Sequence, residues 1–403
     1  MHIVLVDSVA PHFVAQIESM GHTCSSLSSV ERDHLVGNIA HADVMIVRST
    51  VVSADVISAA PRLGLIVRAG AGTDTIDVEA ASEAGIYVCN VPGQNAVAVA
   101  ELVMGLMIAI DRKIPAANAD FAHGVWNKAH YAQAQGLKGQ ALAILGLGNI
   151  GFEVAARAKS FGLTLHALGS ADRSPIRQKK IEELEIQLHD THSDLLGVAD
   201  IVTLHLPLTV DTQNIVNSQF LNQMRPGAML INSSRGGLVN EESLLQAMNE
   251  RDIRVGLDVY SSEPTEGFSE WTSPVSGHPN FVGTHHIGAS THQARDAIAD
   301  GALETIREYE RGIPPNCVNI ASRPLGECAI AVRHRDEIGV LAEVLSCLRT
   351  AGINVQQMRN EIFEGNASTA AIATIRVSQT PSVSTIQSLE KLENVLRVDV
   401  LGA

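Results

Sequence analysis

The most constraining feature of this chain is a glycine-rich turn between a strand and a helix. The apolar run 141–145 predicts a strand, the pattern 152–161 predicts a helix, and Gly146-Leu147-Gly148-Asn149-Ile150-Gly151 joins them. Glycines at this spacing allow a tight turn, close approach of the backbone to a pyrophosphate, and close packing of helix on strand. The start of such a helix offers free N–H groups to phosphate. The predicted contacts of this dinucleotide site are Gly146, Gly148, Asn149, Ile150 and Gly151.

The following strand ends without the acidic residue that usually accepts the ribose 2′-OH of NAD. The chain reads Leu168-Gly169-Ser170-Ala171-Asp172-Arg173 at this point. Ser170 and Arg173 would suit a 2′-phosphate, since arginine presents a bidentate fork to phosphate oxygens. A shift of the loop would instead bring Asp172 to the ribose. The sequence therefore leaves both NAD and NADP open as the cofactor.

Two series of short β-branched runs alternate with helical patterns, which indicates βαβ units and parallel sheets. The first series covers residues 1–95 and the second covers 140–284, with a predicted buried helix at 97–112 between them. Residues from about 326 read strand, helix, strand, strand, helix, strand, which is the ferredoxin-like order. We predict an α/β fold with two doubly wound, Rossmann-like domains and a C-terminal ferredoxin-like βαββαβ domain.

Composition excludes several classes of protein. The net charge of −15 would repel a nucleic-acid backbone, and the longest apolar stretch, 102–110, is far shorter than the ~20 residues of a membrane span. The N-terminus lacks the features of a signal peptide. The five cysteines are scattered without a C-x-x-C spacing, so we expect neither disulfides nor a metal site, and Cys89 reads as a core residue. A cytoplasmic enzyme without nucleic-acid or membrane partners is predicted.

Three further segments each follow a predicted strand. They contain Ser233-Ser234-Arg235, Asp258-Val259-Tyr260-Ser261-Ser262-Glu263 and His285-His286-Ile287-Gly288. Parallel strands bring their C-terminal ends to one edge of a sheet, where open α/β sheets bind ligands. We therefore expect these segments to meet at one site.

These segments resemble the D-isomer-specific 2-hydroxyacid dehydrogenases, and among them the phosphoglycerate branch. The resemblance covers nearly the whole chain, because it extends to Arg48-Ser49, 67–74, 90–95 and 124–128. One departure is His285, where the family usually has proline. The resemblance implies three domains. They are a flavodoxin-like substrate-binding domain of 1–96 and 286–318, a dinucleotide-binding domain of 97–285, and an ACT regulatory domain of 326–403.

The predicted chemistry is oxidation of a secondary alcohol. His286 would accept the hydroxyl proton, because imidazole titrates in the useful range. In the resemblance Glu263 orients that imidazole, and Arg235 suits the substrate carboxylate as a planar cation with several donors. These three residues form the predicted catalytic set.

The resemblance also implies a wider set of binding residues. Trp126 and Lys128 would reach the cleft from a neighbouring subunit, while Arg68 is either a ligand or a salt-bridged structural cation. Asp258 would support the nicotinamide or the base. The other predicted cofactor contacts are Ser234, Asp258 and Gly288. The predicted substrate contacts are Arg48, Ser49, Gly70, Ala71, Gly72, Asn95, Trp126 and Lys128.

The C-terminal domain resembles ACT domains, which bind small effectors. His334, Asp336 and Asn354 match the positions that hold L-serine at a domain–domain interface, although the usual Asn-x-Pro-Gly turn here reads Asp336-Glu337-Ile338-Gly339. A dimerisation module without an effector is the alternative.

The leading hypothesis is reversible NAD(P)-dependent oxidation of D-3-phosphoglycerate to 3-phosphohydroxypyruvate, a step of L-serine synthesis, with feedback through the ACT domain. One alternative is an NADP-dependent reductase of a 2-keto acid such as glyoxylate, hydroxypyruvate or 2-oxoglutarate. Another is a non-catalytic scaffold that senses the dinucleotide. A homodimer or homotetramer acting on a small anionic substrate is expected.

Overall fold

The computed structural model describes residues 1–7, 11–170, 173–264, 268–312, 314–321, 324–363 and 369–402. The chain divides into two compact units, Met1–Val318 and Asn319–Ala403. The first unit contains two parallel sheets, and the second contains one antiparallel sheet. Within the described ranges, no helix combines the length and the apolarity that crossing a bilayer requires.

The first domain is built on a parallel sheet of five strands. Its elements in chain order are β1 (His2–Leu5), α1 (Pro11–Ser19), β2 (Thr23–Ser26), α2 (Ser29–Asp33), α3 (Leu35–Asn38), β3 (Val44–Val47), α4 (Ala54–Ser58), β4 (Leu65–Arg68), α5 (Val78–Glu83) and β5 (Tyr87–Asn90). The strand order is β2-β1-β3-β4-β5, with every pair parallel. This is the flavodoxin-like order of doubly wound sheets.

The second domain is built on a parallel sheet of seven strands. Its elements are α6 (Ala96–Asp111), α7 (Ile114–Ala122), α8 (Lys128–Tyr131), β6 (Ala141–Leu145), α9 (Asn149–Ser160), β7 (Thr164–Leu168), α10 (Pro175–Leu184), β8 (Gln187–His189), α11 (His192–Val198), β9 (Ile201–Leu204), α12 (Ser218–Gln223), β10 (Met229–Asn232), α13 (Glu241–Arg251), β11 (Arg254–Leu257) and β12 (Phe281–Gly283). A 3₁₀ turn, Gly236–Leu238, precedes α13. The strand order β12-β11-β10-β9-β6-β7-β8 reverses between β6 and β9, where such sheets bind dinucleotides.

The chain crosses between the two domains twice. Helix α6 packs in the core of the second domain, where its Ala-, Leu- and Met-rich sequence is largely buried. Helix α14 (His292–Glu310) returns to the first domain, and its apolar face packs with α1 against β1, β3 and β4. The first domain therefore uses residues from both ends of the first unit.

The third domain is a four-stranded antiparallel sheet with two helices. Its elements are β13 (Cys328–Arg335), α15 (Val340–Thr350), β14 (Val355–Phe363), β15 (Ala370–Val377), α16 (Val383–Glu390) and β16 (Val395–Leu401). The order β14-β15-β13-β16 is the ferredoxin-like arrangement that the sequence predicts. Alternating residues of β13 and β15 form one core with the two helices.

Two strands that the sequence analysis does not predict, β2 and β8, lie at sheet edges, and each is short and only partly buried. An edge strand pairs on one side only, so it needs no continuous apolar run. Such strands carry little of the periodicity from which strands are predicted.

Leu303 tests whether α14 belongs to the core of the first domain. Its side chain is 1% exposed there. We expect Leu303→Ala to lower the free energy of unfolding by about 2–5 kcal/mol, because the cavity cannot collapse fully. The control Leu188→Ala removes a side chain that is 42% exposed on an edge strand and should cost about 1 kcal/mol or less. Urea unfolding followed by circular dichroism measures both, and equal losses would contradict this role of α14.

Candidate active site

Three neighbouring strands of the second domain end in the loops that carry the predicted catalytic segments. β10, β11 and β12 are adjacent and parallel. Arg235 follows β10 by three residues, Asp258 follows β11 directly, and His286 follows β12 by three residues. The fold therefore collects these segments at one sheet edge, as the sequence predicts.

His286 and Glu263 form a hydrogen bond. Nδ1 of His286 lies 2.6 Å from Oε2 of Glu263, and since a carboxylate only accepts, Nδ1 is the donor. Oε1 of Glu263 accepts from the backbone N–H of Tyr260 at 2.8 Å. The Tyr260 hydroxyl donates to the carbonyl oxygens of Leu257 and Thr284 at 3.3 and 3.0 Å. With Glu263 fixed on both oxygens, Nε2 is the nitrogen of His286 left for a substrate.

This pair shifts the pKa values of both members. The hydrogen bond to Glu263 raises the pKa of His286 and outweighs burial, which acts to lower it. For Glu263, burial is the largest influence and acts to raise its pKa, but the hydrogen bonds from His286 and Tyr260 and the charge of Arg235 hold that pKa below its usual value. His286 is therefore a stronger base than a free imidazole.

Asp258 is a buried carboxylate that fixes the loop of His286. Its Oδ1 accepts from the Thr284 hydroxyl at 2.6 Å and from the Ile287 N–H at 2.8 Å, and its Oδ2 accepts from the Gly288 N–H at 2.8 Å. His286 has a φ of 52°, a left-handed conformation that costs a non-glycine residue about 1–2 kcal/mol. The hydrogen bonds to Asp258 hold this conformation. Asp258 thus supports the loop that carries His286, while the role of His286 as the base and the contacts of Asp258 and Gly288 with a nicotinamide stay predictions.

Arg235 links the two domains of the first unit. Its Nε and Nη2 donate to Oδ2 of Asp74 at 3.0 and 2.8 Å, and its Nη1 donates to the carbonyl oxygen of Ser234 at 2.8 Å. A Cβ at Gly72 would lie 2.1 Å from Nη2, so a side chain there would displace the guanidinium. Arg235 therefore lies against the 70–72 loop, where the substrate carboxylate is predicted to bind.

The turn that presents Arg235 is shaped by Asn232, which is fully buried. Its Oδ1 accepts from the Ser234 N–H at 3.0 Å, and its Nδ2 donates to the carbonyl oxygen of Arg235 at 2.9 Å. The Ser234 hydroxyl donates to the carbonyl oxygen of Leu204 at 2.5 Å. Ser234 thus ties this turn to the end of β9, and its contact with a cofactor stays a prediction.

Arg48, Arg68 and Arg235 form a cluster of positive charge. Burial lowers the pKa of Arg68, and the charges of Arg235 and Arg48 lower it further. Nη1 of Arg68 donates to the carbonyl oxygen of Ala69 at 3.3 Å, while its Nε is buried without a partner. Arg68 forms no ion pair with any residue in the described ranges. The role of Arg68 as a ligand of an anion stays a prediction.

Asp7 fixes the loop that carries Arg48 and Ser49. Its Oδ2 accepts from the backbone N–H groups of Arg48, Ser49 and Thr50 at 2.6, 3.0 and 3.2 Å, and its Oδ1 accepts from the Thr50 hydroxyl at 2.8 Å. Burial is the largest influence on the pKa of Asp7 and acts to raise it, but these hydrogen bonds outweigh burial and lower the pKa. Asp7 therefore holds the substrate-side loop as a carboxylate.

The 70–72 loop differs in one respect from the predicted carboxylate cradle. The N–H of Gly70 donates to the carbonyl oxygen of Arg68 at 2.8 Å, so this group is already used. Asn90 holds the loop through Nδ2, which donates to the carbonyl oxygen of Ala71 at 2.6 Å. The N–H groups of Ala71 and Gly72 remain as the predicted donors, since no acceptor meets them among the described residues.

The glycine turn has the geometry that a dinucleotide requires. Gly146 has a φ of 102°, and a Cβ there would lie 2.3 Å from the carbonyl oxygen of His205. A Cβ at Gly151 would lie 2.1 Å from the carbonyl oxygen of Gly146, whereas Gly148 faces open space. α9 begins at Asn149 without a side-chain cap, which leaves its first N–H groups to a ligand. The residues present fit a bound pyrophosphate.

Two neighbours of this turn have separate contacts. The Ile150 side chain packs against the core of the second domain, so only its backbone would meet a phosphate. The Nδ2 of Asn149 lies 2.9 Å from the position of a Cβ on Gly93, which brings α9 to the Pro92–Gly93 turn of the first domain. Asn95 begins α6 without capping it through its side chain, and its substrate contact stays a prediction.

The loop after β7 carries Ser170 and Arg173. Ser170 is exposed, and Nη2 of Arg173 donates to the carbonyl oxygen of Leu168. Nη1 of Arg173 is buried without a partner in the described part of the chain, and burial lowers the pKa of Arg173. Asp172 lies outside the described residues.

Some predicted site residues are not brought to the cleft by contacts within one chain. Trp126 is 78% exposed, and its ring contacts Phe121 with a centroid distance of 6.5 Å. Lys128 is also exposed. Their action on a neighbouring subunit stays a prediction.

The predicted effector residues lie at opposite ends of the third domain's sheet. His334 is buried, with Nδ1 at 2.7 Å from the carbonyl oxygen of Arg335 and Nε2 at 3.1 Å from Oδ1 of Asn360. Asp336 follows β13 at this end, whereas Asn354 precedes β14 at the other end, about 30 Å away at ~3.3 Å per residue. One chain alone does not bring the three residues together.

Four residues of this site carry roles that the sequence analysis does not predict: Asp7, Asp74, Asn232 and Tyr260. Asp7 and Asn232 act through backbone groups of nearby loops, which leave no side-chain pattern in a sequence. The usable signal is position, since Asn232 ends a predicted strand and Asp7 lies just beyond one. Polar residues at the C-terminal ends of parallel strands are candidates for loop anchors.

Comparison with known proteins places the chain in a family. The family described as "D-isomer specific 2-hydroxyacid dehydrogenase, NAD binding domain" matches residues 104–288. D-3-phosphoglycerate dehydrogenase of Methanocaldococcus jannaschii is 37% identical over 326 residues, which are 80% of this chain and 60% of that protein. Hydroxypyruvate reductase of Thermotoga maritima is 38% identical over 69% of this chain and 88% of that protein.

A solved structure agrees with this assignment. The acyclic imino acid reductase in complex with NADPH and D-Arg has a TM-score of 0.68 and 25% identity, covering 79% of this chain and all of that one. The chain belongs to the D-isomer-specific 2-hydroxyacid dehydrogenase family. This confirms the resemblance to that family, whereas the resemblance of the C-terminal domain to ACT domains stays a prediction. The chain spans 60% of the length of the M. jannaschii relative.

The role of Asp7 is testable by substitution. Asp7→Asn keeps the size of the side chain but cannot accept all four hydrogen bonds, so we expect the free energy of unfolding at pH 7 to fall by about 1–3 kcal/mol. A lowered pKa contributes stability that is present above ~3.9, the usual aspartate value, and is lost as pH falls through the folded value. Denaturant unfolding of wild type and variant should therefore converge in acid.

The exposed acid Asp33 supplies a matched control for this measurement. Asp33→Asn should leave stability within about 0.5 kcal/mol of wild type at every pH. A difference between wild type and Asp7→Asn that does not shrink below pH ~4 would contradict the role of the ionised carboxylate.

Proposed function

We propose that the chain catalyses the reversible oxidation of D-3-phosphoglycerate to 3-phosphohydroxypyruvate with a pyridine dinucleotide, a step of L-serine synthesis. The observation that carries the proposal is the hydrogen bond between Glu263 and His286, formed close to Arg235 at the sheet edge that also carries the glycine turn. Family membership supports this reaction class. The name of the M. jannaschii relative supports this substrate.

A bound pyridine dinucleotide would accept the hydride in oxidation and return it in reduction. His286 takes the hydroxyl proton of the substrate on Nε2, while Nδ1 keeps its hydrogen bond to Glu263. The Glu263 carboxylate stabilises the imidazolium that forms. In the reverse direction the same imidazolium gives its proton to the substrate oxygen, and base and orienter together contribute roughly 10²–10⁴-fold.

Arg235 binds the substrate carboxylate. Its Nε and Nη2 now donate to Asp74, so an incoming carboxylate competes with Asp74 for the same edge of the guanidinium. Asp74 is largely exposed and gives up little when it returns to water. The N–H groups of Ala71 and Gly72 face the same substrate group.

The phosphate of the substrate would bind to Arg48 and Arg68, the cations of the cluster that the carboxylate does not use. Arg48 and Arg235 both lie near Arg68, and among the described residues Arg68 has a buried donor without a partner. A chain with a net charge of −15 must attract an anion through such a local cluster. Trp126 and Lys128 of a second copy would complete this pocket in a homodimer or homotetramer.

A second candidate function is reduction of an unphosphorylated 2-keto acid such as hydroxypyruvate, glyoxylate or 2-oxoglutarate. The similarity to a hydroxypyruvate reductase over 88% of that protein favours it. The Arg48–Arg68 cluster favours the phosphorylated acid over hydroxypyruvate and glyoxylate, since these two keto acids carry no second anionic group and leave the cations unused, whereas the second carboxylate of 2-oxoglutarate could use them. The two candidates differ in the charge of the substrate.

The deciding experiment is a spectrophotometric panel. The full chain is assayed with NAD and NADP against phosphoglycerate, glycerate, 2-hydroxyglutarate and lactate, and with added serine. We expect kcat/KM to be highest for D-3-phosphoglycerate. A higher value for glycerate would overturn the proposal in favour of the second candidate, and binding of cofactor without turnover would indicate a scaffold.

We also propose that the third domain is an ACT domain that binds serine between two copies of the chain. The ferredoxin-like order and the separation of Asn354 from His334 and Asp336 support a site shared by two copies. Asp336 would meet the ammonium group of the amino acid. Inhibition by serine in the panel supports this site, and unchanged rates would leave the domain as a dimerisation module.

The pH profile tests the pairing of Glu263 with His286. Oxidation needs neutral His286, so kcat/KM should rise with pH through the raised pKa of His286. Glu263→Gln removes the charge that raises this pKa, so we expect the acidic limb to move to lower pH and the plateau to fall roughly 10²-fold. The rate of dinucleotide reduction measured from pH 5 to 10 follows both effects.

Glu250→Gln is the control, because Glu250 is an exposed acid on α13, away from the pair. It should leave both the limb and the plateau unchanged. An acidic limb that stays in place in Glu263→Gln would contradict the assignment of His286 as the base that titrates.

For the cofactor, we propose that the loop after β7 selects NADP. The described part of this loop contains no acid that would accept the ribose 2′-OH, and the Nη1 of Arg173 is a buried donor without an acceptor. A 2′-phosphate supplies that acceptor, and Ser170 adds an exposed hydroxyl.

Arg173→Ala tests this choice. We expect kcat/KM for NADP to fall tenfold or more, because a charge-assisted hydrogen bond contributes about 1.5–3 kcal/mol, while the value for NAD stays nearly constant. Arg177→Ala removes the same charge from an exposed position on α10 and should leave the NADP to NAD ratio unchanged. Equal losses for both cofactors in Arg173→Ala would contradict selection by the 2′-phosphate.

A further inference from the structure

Two cysteines that are far apart in sequence face each other in the first unit. Cys89 lies in β5, and Cys317 lies in the segment that follows α14 and forms an isolated antiparallel bridge with it. The two thiols are in hydrogen-bond contact. Cys89 is fully buried, whereas Cys317 is partly exposed.

The backbone hydrogen bonds around this pair define its register. The Asn90 N–H donates to the carbonyl oxygen of Asn316 at 3.3 Å, and the Val318 N–H donates to the carbonyl oxygen of Val88 at 2.8 Å. These bonds flank the cysteines on both sides, so Cys89 and Cys317 form a non-hydrogen-bonded antiparallel pair. In such pairs the Cα atoms are about 4.5 Å apart and the side chains lie close together.

This register falls within the range that a disulfide requires. Disulfides join residues whose Cα atoms are about 4.4–6.8 Å apart and whose Cβ vectors converge. Cys24 is another cysteine of the first sheet and lies on β2. Strands β1, β3 and β4 separate β2 from β5, which carries Cys89. At ~4.8 Å per strand step, Cys24 is roughly 19 Å from Cys89 and out of reach.

We propose that Cys89 and Cys317 are a reversible disulfide site that ties the segment 316–318 to β5. The site is independent of the proposed reaction, because neither thiol belongs to the active site. It also departs from the sequence expectation, in which Cys89 is only a core residue.

The oxidation proceeds by thiol–disulfide exchange with a small-molecule disulfide such as oxidised glutathione. The more exposed Cys317 attacks as a thiolate, forms a mixed disulfide, and releases one small thiol. Cys89 then gives its proton to solvent, its sulfur attacks the Cys317 sulfur, and the second small thiol leaves. Two protein thiols lose two electrons, and one small disulfide becomes two thiols.

Burial sets the rate of the second step. Burial raises the pKa of Cys89, so little Cys89 is thiolate near neutral pH. Ring closure should therefore be slow and should accelerate about tenfold per pH unit. A dithiol reductant reverses the bond by attack on the accessible Cys317 sulfur.

The bond would act close to the substrate loop. Asn90 follows Cys89 directly and holds the carbonyl oxygen of Ala71 at 2.6 Å. A covalent link at Cys89 restricts this end of β5 in the folded chain, and it also removes freedom from the unfolded chain by closing a long loop. The oxidised protein should therefore unfold at a temperature several degrees above that of the reduced protein.

The test is peptide mapping of the full chain equilibrated with oxidised glutathione at pH 7 and 9, without reductant. We expect a linked peptide pair that contains Cys89 and Cys317, a loss of two hydrogen atoms from the intact mass, faster formation at pH 9, and reversal by dithiothreitol. Cys24→Ser should behave as wild type. Cys317→Ser should lose the linked pair and the rise in melting temperature.

Cys89→Ala provides a second variant, because alanine is accommodated in a core more readily than a polar residue. In it the reaction should stop at glutathione bound to Cys317. The proposal is overturned if wild type also stops at that mixed disulfide at pH 9, or if Cys317 is linked to a cysteine other than Cys89. These outcomes do not depend on turnover, so they are separate from any failure of the proposed function.

Discussion

The hydrogen bond between Glu263 and His286 is the contact on which the arrangement of the site depends. Neither residue belongs to a strand or helix, so each needs its own support. The backbone of Tyr260 fixes Glu263, and Asp258 fixes the loop on both sides of His286. One buried carboxyl group, Asp258, and one partly exposed carboxyl group, Glu263, thus determine the position and the basicity of one imidazole. Both carboxyl groups follow β11, and His286 follows the adjacent strand β12.

A second constraint is the balance of charge in the cleft. Three guanidinium groups lie close enough to lower the pKa of one of them, and this repulsion is stored in the protein before any ligand arrives. Asp7 and Asp74 offset part of it. Asp7 does so permanently through a buried network, whereas Asp74 is exposed and exchangeable. An anionic ligand therefore binds to arginines that are already in place, and the exposed carboxylate of Asp74 is the counter-charge that it can displace.

The sequence predicts the parts of this molecule that follow local rules. The glycine turn, the buried helix α6 and the three segments after β10, β11 and β12 depend on short patterns, and the structure agrees with them. Short edge strands are not predicted, because they pair on one side only and need no continuous apolar run. Contacts such as Asp7 with the Arg48 loop join residues about forty positions apart, and no local period encodes them.

The lack of a local sequence pattern also explains two other contacts that the sequence analysis does not predict. The hydrogen bond from the Gly70 N–H to the carbonyl oxygen of Arg68 depends on the conformation of one loop, which a sequence motif does not specify. The meeting of Cys89 with Cys317 depends on the return of α14 to the first domain. Long-range topology must be known before either contact can be inferred.

The return of α14 also affects the order in which the chain acquires its structure during synthesis. Residues 1–95 leave the ribosome before the second domain, yet one face of their sheet packs against α14, which begins about two hundred positions later. The second domain has all its strands and helices in one continuous stretch and can finish its core earlier. The nascent first domain therefore exposes apolar surface while the second is being made, and in that interval it is the part that a chaperone would protect.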